Sequence, residues 1–153
     1  MRSVGLRPAE PADSEFCFRL HRATLRPYVE AIWGWDESVQ REFHERGFDP
    51  AHTQIVTVDG RDAGVLVVHR RPTEIYLGRI AVDPAHQGRG IGSALIRDLL
   101  AEAAGGGLPL VLDVLVVNTR ALALYERLGL REVTRHGENN VKIQMRAWRR
   151  TPT

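Results

Sequence analysis

The feature that most constrains this chain is a turn. An apolar run ends at Val82, a helical pattern opens at Gly90, and between and just past them stand Asp83-Pro84-Ala85-His86-Gln87-Gly88-Arg89-Gly90-Ile91-Gly92-Ser93. Glycines at alternate positions let backbone approach a ligand closely, because no side chain intervenes. The first N–H groups of a helix have no partner within it and carry the positive end of its dipole, so such a turn binds phosphate groups. Two familiar phosphate loops do not fit. The dinucleotide fingerprint needs a glycine at position 93, where Ser93 stands, and the P-loop needs a lysine beside its last glycine, whereas the one lysine is Lys142. What remains is Gln87-x-x-Gly90-x-Gly92.

The rest of the chain supplies a frame. A short strand over Val4–Arg7 precedes helical sequence from Asp13, with Leu25, Tyr28, Val29 and Ile32 at helical spacing and interruptions expected at Pro27 and Gly34. A second helix covers Asp36–Arg46. Alternation then predicts a hairpin, Gln54–Val58 and Ala63–His69 about an Asp59-Gly60 turn. The strand Glu74–Val82 is nearly continuously apolar, which predicts an interior strand covered on both faces. A helix over Gly90–Ala104 ends at Gly105-Gly106-Gly107. A strand Leu110–Val117, a helix Thr119–Leu128 and two strands around Glu132 and over Val141–Ala147 follow. The order β-α-α-β-β-β-α-β-α-β-β predicts a mixed α/β sheet of six or seven strands with about four helices on both faces. With 153 residues, 43% of them hydrophobic, a single domain over 1–153 is expected.

Asn118 is placed to cap the helix that follows it and Gly129 to end it, with Ala121, Leu124, Tyr125 and Leu128 on one face. Alone, this reads as an ordinary amphipathic helix with a core tyrosine. Together with Gln87-x-x-Gly90-x-Gly92 it resembles the two signatures of the GNAT family of N-acetyltransferases: a Gln or Arg followed by x-x-G-x-G or x-x-G-x-A on a strand-to-helix turn, and an Asn followed by A-x-x-x-Y-x-x-x-G. The resemblance covers Arg79–Leu130 closely and the first fifty residues loosely, and it implies a mostly antiparallel twisted sheet of the GNAT type.

The resemblance implies acetyl-coenzyme A as co-substrate and direct attack by an amine on the thioester, with no acetyl-enzyme. Gln87, Gly88, Arg89, Gly90, Ile91, Gly92 and Ser93 would hold the pyrophosphate, although Arg89 reads equally as a solvated arginine. The backbone of Ile80, Ala81 and Val82 would hold the pantetheine arm, and an N–H near Ile80 the thioester oxygen. Gly78 is expected to mark a bulge in that strand. Asn118 and Tyr125 complete the cofactor site, with Tyr125 the acid for the departing thiolate. For the base, alternation groups Asp113 with Val111, Leu115 and Val117, where desolvation would raise its pKa. It reads equally as a carboxylate held structurally by an arginine. Glu74 stands second.

The acceptor site is sought in Arg26–Glu37, where Glu30, Trp33, Trp35 and Asp36 suit a cationic amine, small or peptidic, and read equally as core tryptophans and a solvated acidic face. The 21 basic and 19 acidic residues are scattered, so nucleic acid is not an expected partner. Cys17 stands alone and the six histidines lack metal-ligand spacings, so neither a disulfide nor a metal is expected. No apolar run approaches the roughly 20 residues of a membrane span, and no leader pattern opens the chain, so a cytoplasmic location is expected. An exposed edge in the final strands could pair two chains as a homodimer. The rival functional class is a non-catalytic acyl-coenzyme A binding module, indifferent to Tyr125 and Asp113.

Overall fold

The computed structural model describes residues 3–148. Its elements are β1 (Val4–Pro8), α1 (Ser14–Trp33), α2 (Glu37–Gly47), β2 (Thr53–Val58), β3 (Arg61–Arg70), β4 (Ile75–Val82), α3 (Ile91–Gly105), β5 (Leu110–Leu115), α4 (Thr119–Arg127), β6 (Arg131–His136) and β7 (Lys142–Ala147). This is the expected element order. The seven strands run β1-β2-β3-β4-β5-β7-β6. β1–β2, β2–β3, β5–β7 and β6–β7 pair antiparallel, and β4–β5 pair parallel across the α3 crossover. No helix among the described residues is long and apolar enough to cross a membrane.

The chain divides into two compact units. One runs to Val67 and resumes over Arg79–Ile91; the other takes Val68–Gly78 and the chain from Gly92 onward. In the first, Cys17 and Leu20 of α1 pack with Ala9, Ile55, Val65 and Ala81, and Phe16, Phe48 and Val67 lie against them. The predicted hairpin forms about Asp59 (φ 51°) and Gly60 (φ 80°), the doubly left-handed turn that Asp-Gly favours. The expected break of α1 at Pro27 does not occur: the helix continues to Trp33, and Gly34 (φ 78°) ends it. Proline deprives the carbonyl four residues before it of a donor. Cys17, Phe18, Leu20 and His21 are buried before Pro27 and Val29 after it, so packing on both sides keeps one helix.

β3 carries a device that the sequence reading did not anticipate. Thr57 faces Asp62 and Val56 faces Gly64, so Ala63 is an extra, bulged residue. Its carbonyl accepts the N–H of Asp83 at 2.7 Å, tying the start of the glycine turn to β3. Next to it, a Cβ on Gly64 would stand 2.6 Å from the carbonyl oxygen of Ala81 in β4. Gly64→Ala is therefore expected to push β4 aside and lower stability by about 1–3 kcal/mol. Thermal unfolding would then begin roughly 3 to 10 °C lower; an unchanged midpoint would mean that β4 yields without cost.

In the second unit Ile75–Leu77 pair with Leu110–Leu112, and β5 pairs along its length with β7. Ile96, Leu110, Val111, Leu112, Leu130, Ile143 and Met145 are its most buried side chains. β5 ends at Leu115 rather than at Val117, because Val116 bonds Val141 and Asn118 turns back to Leu115. β4 is interior as expected, but not covered on both faces: Ile75, Leu77 and Ala81 are buried, while Tyr76, Arg79, Ile80 and Val82 are half-buried and Gly78 is exposed. The edge strand β6 is exposed throughout, shifted in register about Val133, and carries Arg131, Glu132 and Arg135, features that blunt an edge.

Candidate active site

Where β4 ends, the side chain of Asp83 accepts the N–H of Ala85 at 2.9 Å and starts a single 3-10 turn over Pro84–His86. The Gln87 amide nitrogen donates to the Val82 carbonyl at 2.9 Å, so this side chain staples the turn to the strand it leaves. Gly88 (φ 77°) and Gly90 (φ 76°) take the left-handed conformation that side chains resist. A Cβ on Gly88, Gly90 or Gly92 would meet nothing within 4 Å. The protein itself therefore has no steric need for glycine at 92, and the turn leaves an open backbone face beside the first turn of α3. There the N–H groups of Ile91, Gly92 and Ser93 are those a helix cannot satisfy internally. Open space at glycine positions over a helix start fits a pyrophosphate. Gln87 and Arg89 are exposed beside it; Ala81, in the strand leading to the turn, is buried, and Ile80 and Val82 are half-buried.

In the second unit, Asn118 caps α4 by accepting the N–H of Ala121 at 3.2 Å, and Gly129 (φ 99°) terminates it. Tyr125 is buried, and burial pushes its phenol up to about 12, so it is protonated at neutral pH. Asp113 meets polar partners from outside its own strand as well as that strand's apolar residues. The Tyr76 hydroxyl lies 2.6 Å from its Oδ2, and Nε2 of His136 lies 2.6 Å from its Oδ1. The carboxylate is thus held by a tyrosine and a histidine, not by an arginine. Burial, and then the bond to Asp113, raise the Tyr76 phenol well above its ordinary value, which keeps it a donor. The Arg71 guanidinium lies 4.8 Å from the Tyr76 ring centre. Glu74 stands just before β4, paired with Arg71 at 3.1 Å.

The expected acceptor residues separate in character. Asp36 is the α2 cap, accepting from Ser38 at 2.7 Å and from the Val39 N–H at 3.1 Å; those bonds, Ser38's first, hold its carboxyl below the usual range. Glu30 is exposed and within 3.9 Å of Arg26, and Trp33 is exposed. Trp35 is half-buried, donates to Glu37 at 3.2 Å and has its ring 5.9 Å from that of His21. The buried Cys17 thiol is pushed up to about 11 by desolvation, so it is no thiolate at neutral pH. Among the described residues no group of three or more His, Cys, Asp or Glu is placed to hold a metal ion.

Four residues escaped the sequence reading: Tyr76, His136, His21 and Arg79. Alternation along β4 made Tyr76 available as a signal. His136 reaches Asp113 only through the β5-β7-β6 order, which no local pattern reveals.

Residues 16–130 match the acetyltransferase (GNAT) family. N-alpha-acetyltransferase RimI of Mycobacterium tuberculosis is 46% identical over 72 residues, covering 46% of this chain and 44% of that protein. The ribosomal protein bS18-alanine N-acetyltransferase of Escherichia coli K12 is 39% identical over 80 residues, 52% of this chain and 54% of that protein. The chain spans about half the length of the curated relatives it matches. A similar fold occurs in the PaiA N-acetyltransferase of Thermoplasma acidophilum, solved with coenzyme A: TM-score 0.77 at 14% identity over 96% of this chain and 99% of that one.

Proposed function

Because the chain belongs to the acetyltransferase (GNAT) family, we propose that it moves the acetyl group of acetyl-coenzyme A to a primary amine, by direct attack with both substrates bound. The observation that carries this reading is the turn Gln87–Ser93, whose three glycine positions open onto the start of a 15-residue helix. Two matched relatives are named an N-alpha-acetyltransferase and a ribosomal protein bS18-alanine N-acetyltransferase, and one fold neighbour was solved with coenzyme A; these support the reading. When bound, acetyl-coenzyme A supplies the thioester and the thiol leaving group.

The chain's own residues then have separate tasks. The N–H groups of Ile91, Gly92 and Ser93 neutralise the pyrophosphate, Gln87 fixes the turn, and the backbone of Ile80–Val82 aligns the pantetheine arm. An alkylammonium has a pKa near 10.4 and cannot attack until a proton leaves. Asp113 takes that proton, Tyr76 and His136 fix its carboxylate, and the exposed His136 side chain opens a route to solvent. Tyr125 acts at the other end. Tyr125, kept protonated by burial, supplies the proton to the departing thiolate.

Free thiol release from acetyl-coenzyme A with a panel of amines, amino acids and peptides tests the reading. One acceptor class is expected to release thiol, and Tyr125→Phe to slow it about 10²-fold with coenzyme A affinity unchanged. Tight cofactor binding without thiol release for any amine would sink it.

A further inference from the structure

The arginines of the first unit are mostly matched with acids: Arg7 with Asp13 and Asp62, Arg22 with Glu37, Arg41 with Glu15. These arginines are all substantially exposed, where pairing matters least. Arg79, half-buried on β4, is the opposite case. Among the described residues it makes no hydrogen bond or ion pair, although its planar head offers five N–H donors. The groups on which its charge acts are Cys17 and His21 of α1 and His44 of α2, none of them an acid. Desolvation accordingly lowers its pKa.

His21 of α1, on whose ring the Arg79 charge acts, carries an unsatisfied atom. His21 is 8% exposed, binds Gln40 through Nε2 at 3.1 Å, and has its Nδ1 buried with no hydrogen-bond partner. Desolvation first, and the Arg79 charge second, push the ring down to about 4, so it is neutral. The Gln40 amide can face Nε2 with either end, so Nδ1 can present its proton or its lone pair. A guanidinium fork with no protein acceptor, together with a buried and orphaned imidazole nitrogen, suits a planar anion.

We infer that Arg79, with His21 behind it, seats a carboxylate of the acceptor, so that the preferred substrate is an amine borne on a carboxylic acid, such as an amino acid or a short peptide. Arg79 immediately precedes Ile80–Val82, the backbone to which the thioester end of the cofactor is assigned above, and the inference rests on that reading. It differs from the acidic pocket for a cationic amine expected of Glu30 and Asp36, which are respectively paired and engaged as a helix cap.

The experiment pairs free acids with their carboxamides: glycine, lysine and trialanine each against its amide, in wild type, Arg79→Met and Arg79→Lys. Transfer and, in parallel, calorimetric binding in the presence of coenzyme A are measured. The acids are expected to be favoured in kcat/KM by about 30-fold or more, since a site built for hydrogen bonds rejects analogues that leave it unpaired. Arg79→Met should abolish that ratio by slowing the acids alone, Arg79→Lys should restore part of it, and coenzyme A affinity should not move. A wild-type ratio near one, or equal losses on acids and amides in Arg79→Met, overturns the proposal. If no amine is acetylated at all, the transferase reading falls, and calorimetry still decides the seat. Acid binding that Arg79→Met weakens upholds it, and absence of acid binding overturns it.

Discussion

Gly92→Glu is expected to raise the melting temperature while weakening coenzyme A binding about 10²-fold or more. Position 92 is the second residue of α3, and a Cβ there meets nothing within 4 Å. Replacing a helical glycine gains about 0.5–1 kcal/mol in propensity. A carboxylate in the first helical turn adds about 0.3–1 kcal/mol against the helix dipole. The same carboxylate would stand where the pyrophosphate is proposed to lie, and like charges about 4 Å apart near a surface repel by several kcal/mol. Stability and affinity thus move in opposite directions, which general damage to the fold cannot imitate. Thermal unfolding without ligand and calorimetry with coenzyme A are the two measurements. A stabilised variant that binds as tightly as wild type would remove the pyrophosphate from this turn.

Asp113→Asn is expected to lower kcat/KM about 10²- to 10⁴-fold, the range of a lost general base, with coenzyme A affinity and melting midpoint nearly unchanged. Asparagine keeps an oxygen that can accept from Tyr76 and loses the group that takes a proton. Tyr76→Phe separates the two roles: it removes the hydrogen bond and keeps the acid, so a smaller loss is expected. If Asp113→Asn turned over normally and merely melted earlier, the carboxylate would be a structural strut and the amine would lose its proton through water.

Much of this was legible because local rules decide it. The glycine turn is read from residue types whose conformations are restricted, and Gly88 and Gly90 adopt the left-handed backbone for which glycine exists. The Asp59-Gly60 hairpin and the Asn118 cap are of the same kind. Reading failed where distant packing wins. Pro27 should have ended α1, but core contacts on either side outweigh one lost hydrogen bond. Asp113 was grouped with the apolar residues of its own strand, whereas its partners come from β4 and β6. Arg79 looked like the edge of a signature because burial without a counter-charge leaves no trace in composition.

The bulge at Ala63 sets a rule for length variation in this chain. Since its carbonyl holds the N–H of Asp83, the glycine turn takes its position from a residue twenty places earlier in the sequence. The identities of Ala85 and Arg89 can therefore drift without moving the anchor, whereas Gln87 and Gly88 hold the turn itself. Deleting Ala63 would instead leave the remaining β2–β3 pairs in register but remove the carbonyl that moors the turn. Descendants of this sequence should be permissive to insertion at the Asp59-Gly60 tip and intolerant of any change in count between that tip and Gly64.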